Sequence, residues 1–185
     1  MKSAIVLNIL VVFLELAGLS ISISDRKWLI FAFYTQISNI IACLSSMAFV
    51  LNPDAGWVAV FRFTSSCMLT MTFLVTAFVL VPMGGGFRKL MLSGNGLYHH
   101  TLCPAISVLC YIFLEPHIRS AAWIALPAAI TLIYGLAMLT MNAKRKFDGP
   151  YPFFKVYQQT RTATVLWMLA LMAVISGIAA IIYNV

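Results

Sequence analysis

Four residues able to do chemistry stand inside apolar runs of this sequence: Thr35, His99, His100 and Glu15. A Thr hydroxyl becomes a nucleophile when a base within hydrogen-bond reach takes its proton, and a histidine, titrating near neutrality, suits that task. Thr35 recurs at helical spacing with Ser38, Asn39 and Cys43, while Ile37, Ile40, Ile41 and Leu44 point elsewhere. Further along, His100, Cys103, Pro104, Ser107 and Tyr111 form a similar small and polar face, whereas His99 shares its face with Leu102 and Ile106. Of the two histidines, His100 is therefore the better placed to face a polar interior. Pro104 has no N–H, so the carbonyl of His100 loses its helical partner and a kink is expected there. Breaks of that kind are tolerated beside protein or a water-lined cavity, not beside lipid.

The elements that must position these groups follow from composition. Hydrophobic residues make up 62% of the chain and charged residues 9%, against about a quarter charged in an ordinary soluble domain. Mean hydropathy is +0.97, and a water-soluble fold could not hide that much apolar surface. The reading is an all-α polytopic membrane protein: one domain of six transmembrane helices joined by short loops, with spans near 4–23, 28–51, 57–82, 97–114, 121–142 and 162–183. Each is close to the length that crosses a hydrocarbon core of about 30 Å. The runs are punctuated by Ser24-Asp25-Arg26-Lys27, Asn52-Pro53-Asp54, Gly84-Gly85-Gly86, Glu115-Pro116-His117 and Asp148-Gly149-Pro150. The first run is of span length, contains Glu15 and ends without a small-residue cleavage site, so it is expected to be a retained span and not a signal peptide. Phe87 to Leu92 reads as a short interfacial turn.

Nine basic residues (Arg26, Lys27, Arg88, Lys89, Lys144, Arg145, Lys146, Lys155 and Arg161) lie in or beside the first, third and fifth connections, leaving Lys2, Arg62 and Arg119 for the opposite face. That asymmetry predicts cytoplasmic odd connections and both termini outside. It also makes the net charge of +7 a topology signal, so no nucleic-acid partner is expected. Polar groups early in even spans and late in odd spans then share one depth. Thr35 lies about seven residues in, or roughly 10 Å, and Glu15 about eight residues, or roughly 12 Å, from the same face. A carboxylate at that depth costs a few kcal/mol by insertion scales, so Glu15 should face inward toward a partner or stay protonated. Thr76 reaches a similar depth on the stripe of Ser65 and Thr72.

Ordinary roles compete with chemical ones. A Ser or Thr within a span commonly bonds the carbonyl one turn back. Arg62 is expected to snorkel to the second connection. Cys43, Cys67, Cys103 and Cys110 read as small buried hydrophobes. No metal or other cofactor is expected, since the histidines and carboxylates make no convincing ligand set.

Three blocks carry a resemblance to a known family: Phe33-Tyr34-Thr35-Gln36-Ile37-Ser38-Asn39, His99-His100-Thr101-Leu102-Cys103-Pro104 and Gly149-Pro150-Tyr151-Pro152-Phe153-Phe154. Together they resemble the androgen-induced-protein family of intramembrane threonine hydrolases, which cleave fatty-acid esters of hydroxy fatty acids, and in particular its compact prokaryotic-type members. The resemblance implies Thr35 as nucleophile and His100 as base. The His-Thr pair selects His100, while counting back from Pro104 selects His99. It further implies lipid ester hydrolysis within the bilayer, with a membrane lipid or fatty acyl ester as substrate. Asn39 or Ser38 would serve as donor to the tetrahedral intermediate, with Glu15 orienting the imidazole. Tyr151 and Phe153 would line the substrate path as a gate or form an interfacial aromatic belt, and Arg161 would hold an acyl carboxylate. A bacterial inner membrane fits the short loops.

Two other classes are weighed beside this one. Cys103 lies one turn from both histidines and would serve a cysteine-dependent membrane acyltransferase. Glu15 and the histidines would serve a non-enzymatic small transporter or receptor.

Overall fold

Apolar runs of span length close their backbone hydrogen bonds internally, because lipid offers no partners. In the computed structural model, which describes all of residues 1–185, the expected helices form. In chain order they are α1 (Lys2–Arg26), α2 (Tyr34–Leu51), α3 (Gly56–Val75), the short α4 (Phe87–Met91), α5 (Cys103–Leu114), α6 (Ala125–Ala143) and α7 (Arg161–Asn184). Joined to their flanking turns they give six helices long and apolar enough to cross a membrane: Lys2–Ala32, Tyr34–Leu51, Gly56–Gly85, Leu97–Leu114, Ala121–Ala143 and Arg161–Asn184. The chain is thus an all-helical, multi-pass integral membrane protein. Helices α1, α2, α3 and α5 pack as neighbours, and α6 and α7 pack together against α3. Large apolar side chains such as Phe13, Phe78, Phe113, Ile133 and Ile181 point outward, which suits lipid.

Three departures from the expected helices bear on the site. Span two was expected from Trp28, but Lys27–Ala32 is a 3₁₀ stretch continuing the first span, and Phe33 is extended. Thr35 therefore stands on the first turn of α2 and not seven residues deep. At the end of α3 the helix widens into i→i+5 turns over Thr76–Gly85 and stops where Gly84 and Gly86 take positive φ, conformations open to glycine at little cost. The expected break at Pro104 appears as a wide i→i+5 segment, Leu97–Leu102, that gives way to α5 with Pro104 in its first turn. An extra residue per turn shifts side chains round the axis by roughly 100° relative to an α-helix. His99, expected among Leu102 and Ile106, is accordingly turned into the bundle and fully buried.

The seam between the first and fourth spans is polar. Asn8, Glu15 and Ser22 recur every seven residues on the buried face of α1, interleaved with the small Ala4, Val11 and Gly18. Asn8 donates to Glu115 (2.8 Å), Ser22 accepts from Asn95 (2.9 Å), and Glu15 lies 3.5 Å from His99. Arg62 does not snorkel. It is wholly buried and pairs through two nitrogens with Glu115 at 2.8 and 2.9 Å, with further bonds to Ser46 and Ser107. A guanidinium has five donors to satisfy, and these partners on α2, on α5 and just past its end meet that demand inside the protein.

Candidate functional site

The first turn of a helix leaves backbone N–H groups without intrahelical partners. In α2 none of the usual capping side chains precedes them, since Phe33 holds the cap position. Two tyrosine hydroxyls from elsewhere in the chain take the role. Tyr34 N–H donates to Tyr134 Oη (3.1 Å), and Thr35 N–H donates to Tyr151 Oη (3.2 Å). The Tyr134 hydroxyl donates to the Ala32 carbonyl (2.7 Å), whereas that of Tyr151 points to Thr35 Oγ1 (3.5 Å). Thr35 thus sits at the positive end of α2 with a phenol directed at its hydroxyl oxygen.

Thr35, Gln36, His100 and Tyr151 line one cavity of about 610 Å³, whose rim carries the exposed Arg26 and Lys89. Arg26 is steadied by the Phe33 ring, 4.4 Å from its guanidinium carbon. The sequence had offered these two cations only as topology signals. His100 Nδ1 lies 2.7 Å from the Leu90 carbonyl oxygen. A carbonyl can only accept, so the Nδ1 nitrogen carries the proton. Nε2 is then the lone-pair nitrogen of the neutral ring, and it is buried and meets no protein donor or acceptor. No hydrogen bond joins it directly to Thr35, an arrangement open to tightening when a substrate occupies the space between.

A second, apolar pocket that Thr35 and Tyr151 also border runs between α3, α6 and α7, lined by Met71, Val75, Phe154, Met168, Leu171 and Met172. Its free volume is only about 30 Å³, so a chain enters it only as the methionines swing aside, which their unbranched side chains allow. Thr35 and Tyr151 are common to both cavities. The Tyr151 to Phe154 segment, expected as an interfacial belt or gate, is folded into the bundle: Tyr151, Phe153 and Phe154 are all buried, and Phe153 stacks on Tyr151 with centroids 5.1 Å apart. Burial pushes the Tyr151 phenol above its ordinary pKa, so it stays protonated and acts as a donor.

The other expected site residues are placed differently. Glu15 does not orient His100; it approaches His99, whose Nδ1 faces the Gln36 amide at 3.2 Å. His99 is thereby held on both ring nitrogens, and the chain Gln36–His99–Glu15 leads from the cavity wall into the middle of α1. Ser38 donates to the Thr35 carbonyl (2.9 Å) and meets Thr72 (2.7 Å). Asn39 donates to the Thr35 carbonyl and to that of His99 (3.2 Å). Both tie α2 to its neighbours, and neither lines the open cavity. Arg161 is exposed at the start of α7 and lines neither cavity. Cys103 is fully buried beside Glu15, away from both cavities. The sequence reading missed the Arg62–Glu115 pair and the tyrosine caps, and it missed Arg26 and Lys89 as cavity residues. No protein-family model, curated protein or solved structure matches the chain.

Proposed function

We propose that this protein is an intramembrane hydrolase of lipid esters, with Thr35 as nucleophile and His100 as its base. The observation that carries the reading is the shared cavity, which Thr35 and His100 both line, with the His100 Nε2 lone pair buried and without a protein partner. The resemblance of the three sequence blocks to the androgen-induced-protein family supports it. Thr35 Oγ attacks the ester carbonyl as its proton passes to His100 Nε2, and the carbonyl π pair moves onto oxygen. Collapse re-forms C=O and expels the alcohol, which takes the proton from His100; water then repeats the sequence, releasing the acid and restoring Thr35. The positive end of α2 favours the charge that develops at Thr35. In this reading the acyl chain takes the methionine-lined pocket and the polar half of the ester the larger cavity, with Arg26 and Lys89 at its rim. A fatty-acid ester of a hydroxy fatty acid satisfies both halves. The positive-inside asymmetry supports a cytoplasmic side for that cavity, and the short loops fit a bacterial inner membrane.

The test is labelling of the detergent-solubilised protein with a lipid-like fluorophosphonate, followed by mass spectrometry of the modified peptide. Label on Thr35 that is lost in folded Thr35→Ala and His100→Ala supports the hydrolase. A folded wild type that takes no label, or takes it on Cys103, overturns it.

A proton-coupled carrier draws on a different observation, the run of polar side chains from Gln36 through His99 to Glu15. Proton-driven uptake into proteoliposomes that Glu15→Gln abolishes would favour that reading.

A further inference from the structure

We infer that Tyr151 is a third catalytic group, the hydrogen-bond donor to the oxyanion formed when Thr35 attacks an ester; this rests on the hydrolase reading above. A threonine hydrolase needs such a donor, and the polar side chains nearest Thr35 in sequence cannot supply it. Gln36 turns its amide nitrogen to His99 Nδ1 (3.2 Å), and Ser38 and Asn39 are turned to the Thr35 carbonyl and beyond it to Thr72 and His99. The backbone N–H of Thr35, a natural oxyanion donor at a helix start, is itself engaged by Tyr151 Oη at 3.2 Å. That bond hands the role on. A hydroxyl that accepts a hydrogen bond becomes a better donor, and the proton of Tyr151 is directed at Thr35 Oγ1, 3.5 Å away. The long distance marks a loosely held donor, free to turn about its C–O bond.

As Oγ attacks, its lone pair is consumed in the new C–O bond and the ester oxygen gains the displaced π pair. The Tyr151 O–H then turns from Oγ to that oxygen, which must lie beside the attacked carbon. Tyr151 keeps its proton throughout; the Thr35 proton goes to His100. Position supports the role, because Tyr151 borders both the apolar pocket and the polar cavity, where a carbonyl joining an acyl chain to a polar half would lie. Its ring is 5% exposed and held by Phe153 and Phe154, so the phenol oxygen is positioned before substrate arrives and only its O–H has to turn.

Tyr134 supplies a matched comparison. It caps the neighbouring N–H on the same turn, but its proton is committed to the Ala32 carbonyl. Hydrolysis of p-nitrophenyl octanoate by the solubilised full chain is followed for wild type, Tyr151→Phe and Tyr134→Phe, with thermal unfolding of each. The expected result is a fall in kcat of roughly 10²- to 10³-fold in Tyr151→Phe with KM within a few fold, against a loss of less than tenfold in Tyr134→Phe at similar stability. Equal losses in the two variants would make Tyr151 a structural cap only, and an unchanged kcat in Tyr151→Phe would remove the inference alone. A folded wild type without turnover and without label on Thr35 would instead remove the hydrolase reading beneath it.

Discussion

Gly18 on α1 lies directly against the ring of His99: a Cβ built on Gly18 would stand 2.6 Å from His99 Cδ2 and 2.8 Å from Tyr98 Cβ. Because His99 is held on its other sides by Gln36 and Glu15, the ring has nowhere to retreat. Gly18→Ala is therefore expected to push the first span away from the fourth and to cost about 1–3 kcal/mol, as overpacking does. Gly177, on α7, has open space where its Cβ would be, and Gly177→Ala should be neutral or slightly stabilising. Thermal unfolding in detergent compares the two, and equal midpoints would contradict the close packing at Gly18.

The Arg62–Glu115 pair yields an asymmetric prediction. Removing one member strands a buried charge, so Arg62→Met and Glu115→Leu should each destabilise by roughly 3–5 kcal/mol. The double variant leaves neither charge and should recover most of that loss, with Asn8, Ser46 and Ser107 left to share what polar contacts they can. Denaturation of the three variants beside wild type measures the coupling, and simple additivity would show that the two side chains do not act as a pair.

The contrast between what was readable and what was not follows from range. Six spans are local features: length, apolar content and breakers such as Asn52-Pro53-Asp54 lie within a few residues of each other. That Thr35 and His100 line one cavity also follows from local facts, since alternating spans bring the start of span two and the start of span four to one face. Arg62 and Glu115 are 53 residues apart, and Glu115 looks like part of a breaker beside Pro116 until the partner arrives. The burial of Tyr151 is likewise a tertiary event, since a Tyr-Pro-Phe-Phe loop at a membrane surface reads equally well as an aromatic belt. His99 was misplaced because α-helical spacing was assumed where Pro104 imposes a wider turn. The sequence does carry one signal of this packing: Asn8, Glu15 and Ser22 recur at a seven-residue interval, which marks a helix seam and turns Glu15 toward a neighbouring span.

Arg26 and Lys89 make a prediction about substrate charge. Both are exposed on the rim of the Thr35 cavity, where a solvated cation attracts an anionic head modestly and in a salt-dependent way. Arg26→Gln and Lys89→Gln should each raise KM about two- to fivefold for a carboxylate-bearing ester at low salt, and leave KM for an uncharged ester of the same chain unchanged. The difference should vanish in molar salt. A matching rise for the uncharged ester would show that the substitutions disturb the cavity and not its charge.

If the proposed hydrolysis holds, Gly135 bears on the acyl half of the substrate. It lines the apolar pocket on α6, and an added Cβ would meet Met168 Cε at 2.8 Å and Phe154 Cε1 at 3.8 Å. The first contact is the far end of a flexible side chain, so Gly135→Ala should fold, with Met168 turned into the space an acyl chain would use. Each methylene kept out of an apolar site forfeits about 0.8 kcal/mol, close to a fourfold change in kcat/KM. Across p-nitrophenyl esters of increasing chain length, Gly135→Ala should shift the optimum toward shorter acids by about that factor per methylene excluded, while kcat/KM for the acetate ester stays near wild type. A uniform fall across all lengths would mean that the chain lies elsewhere, along the lipid-facing surface of α6 and α7.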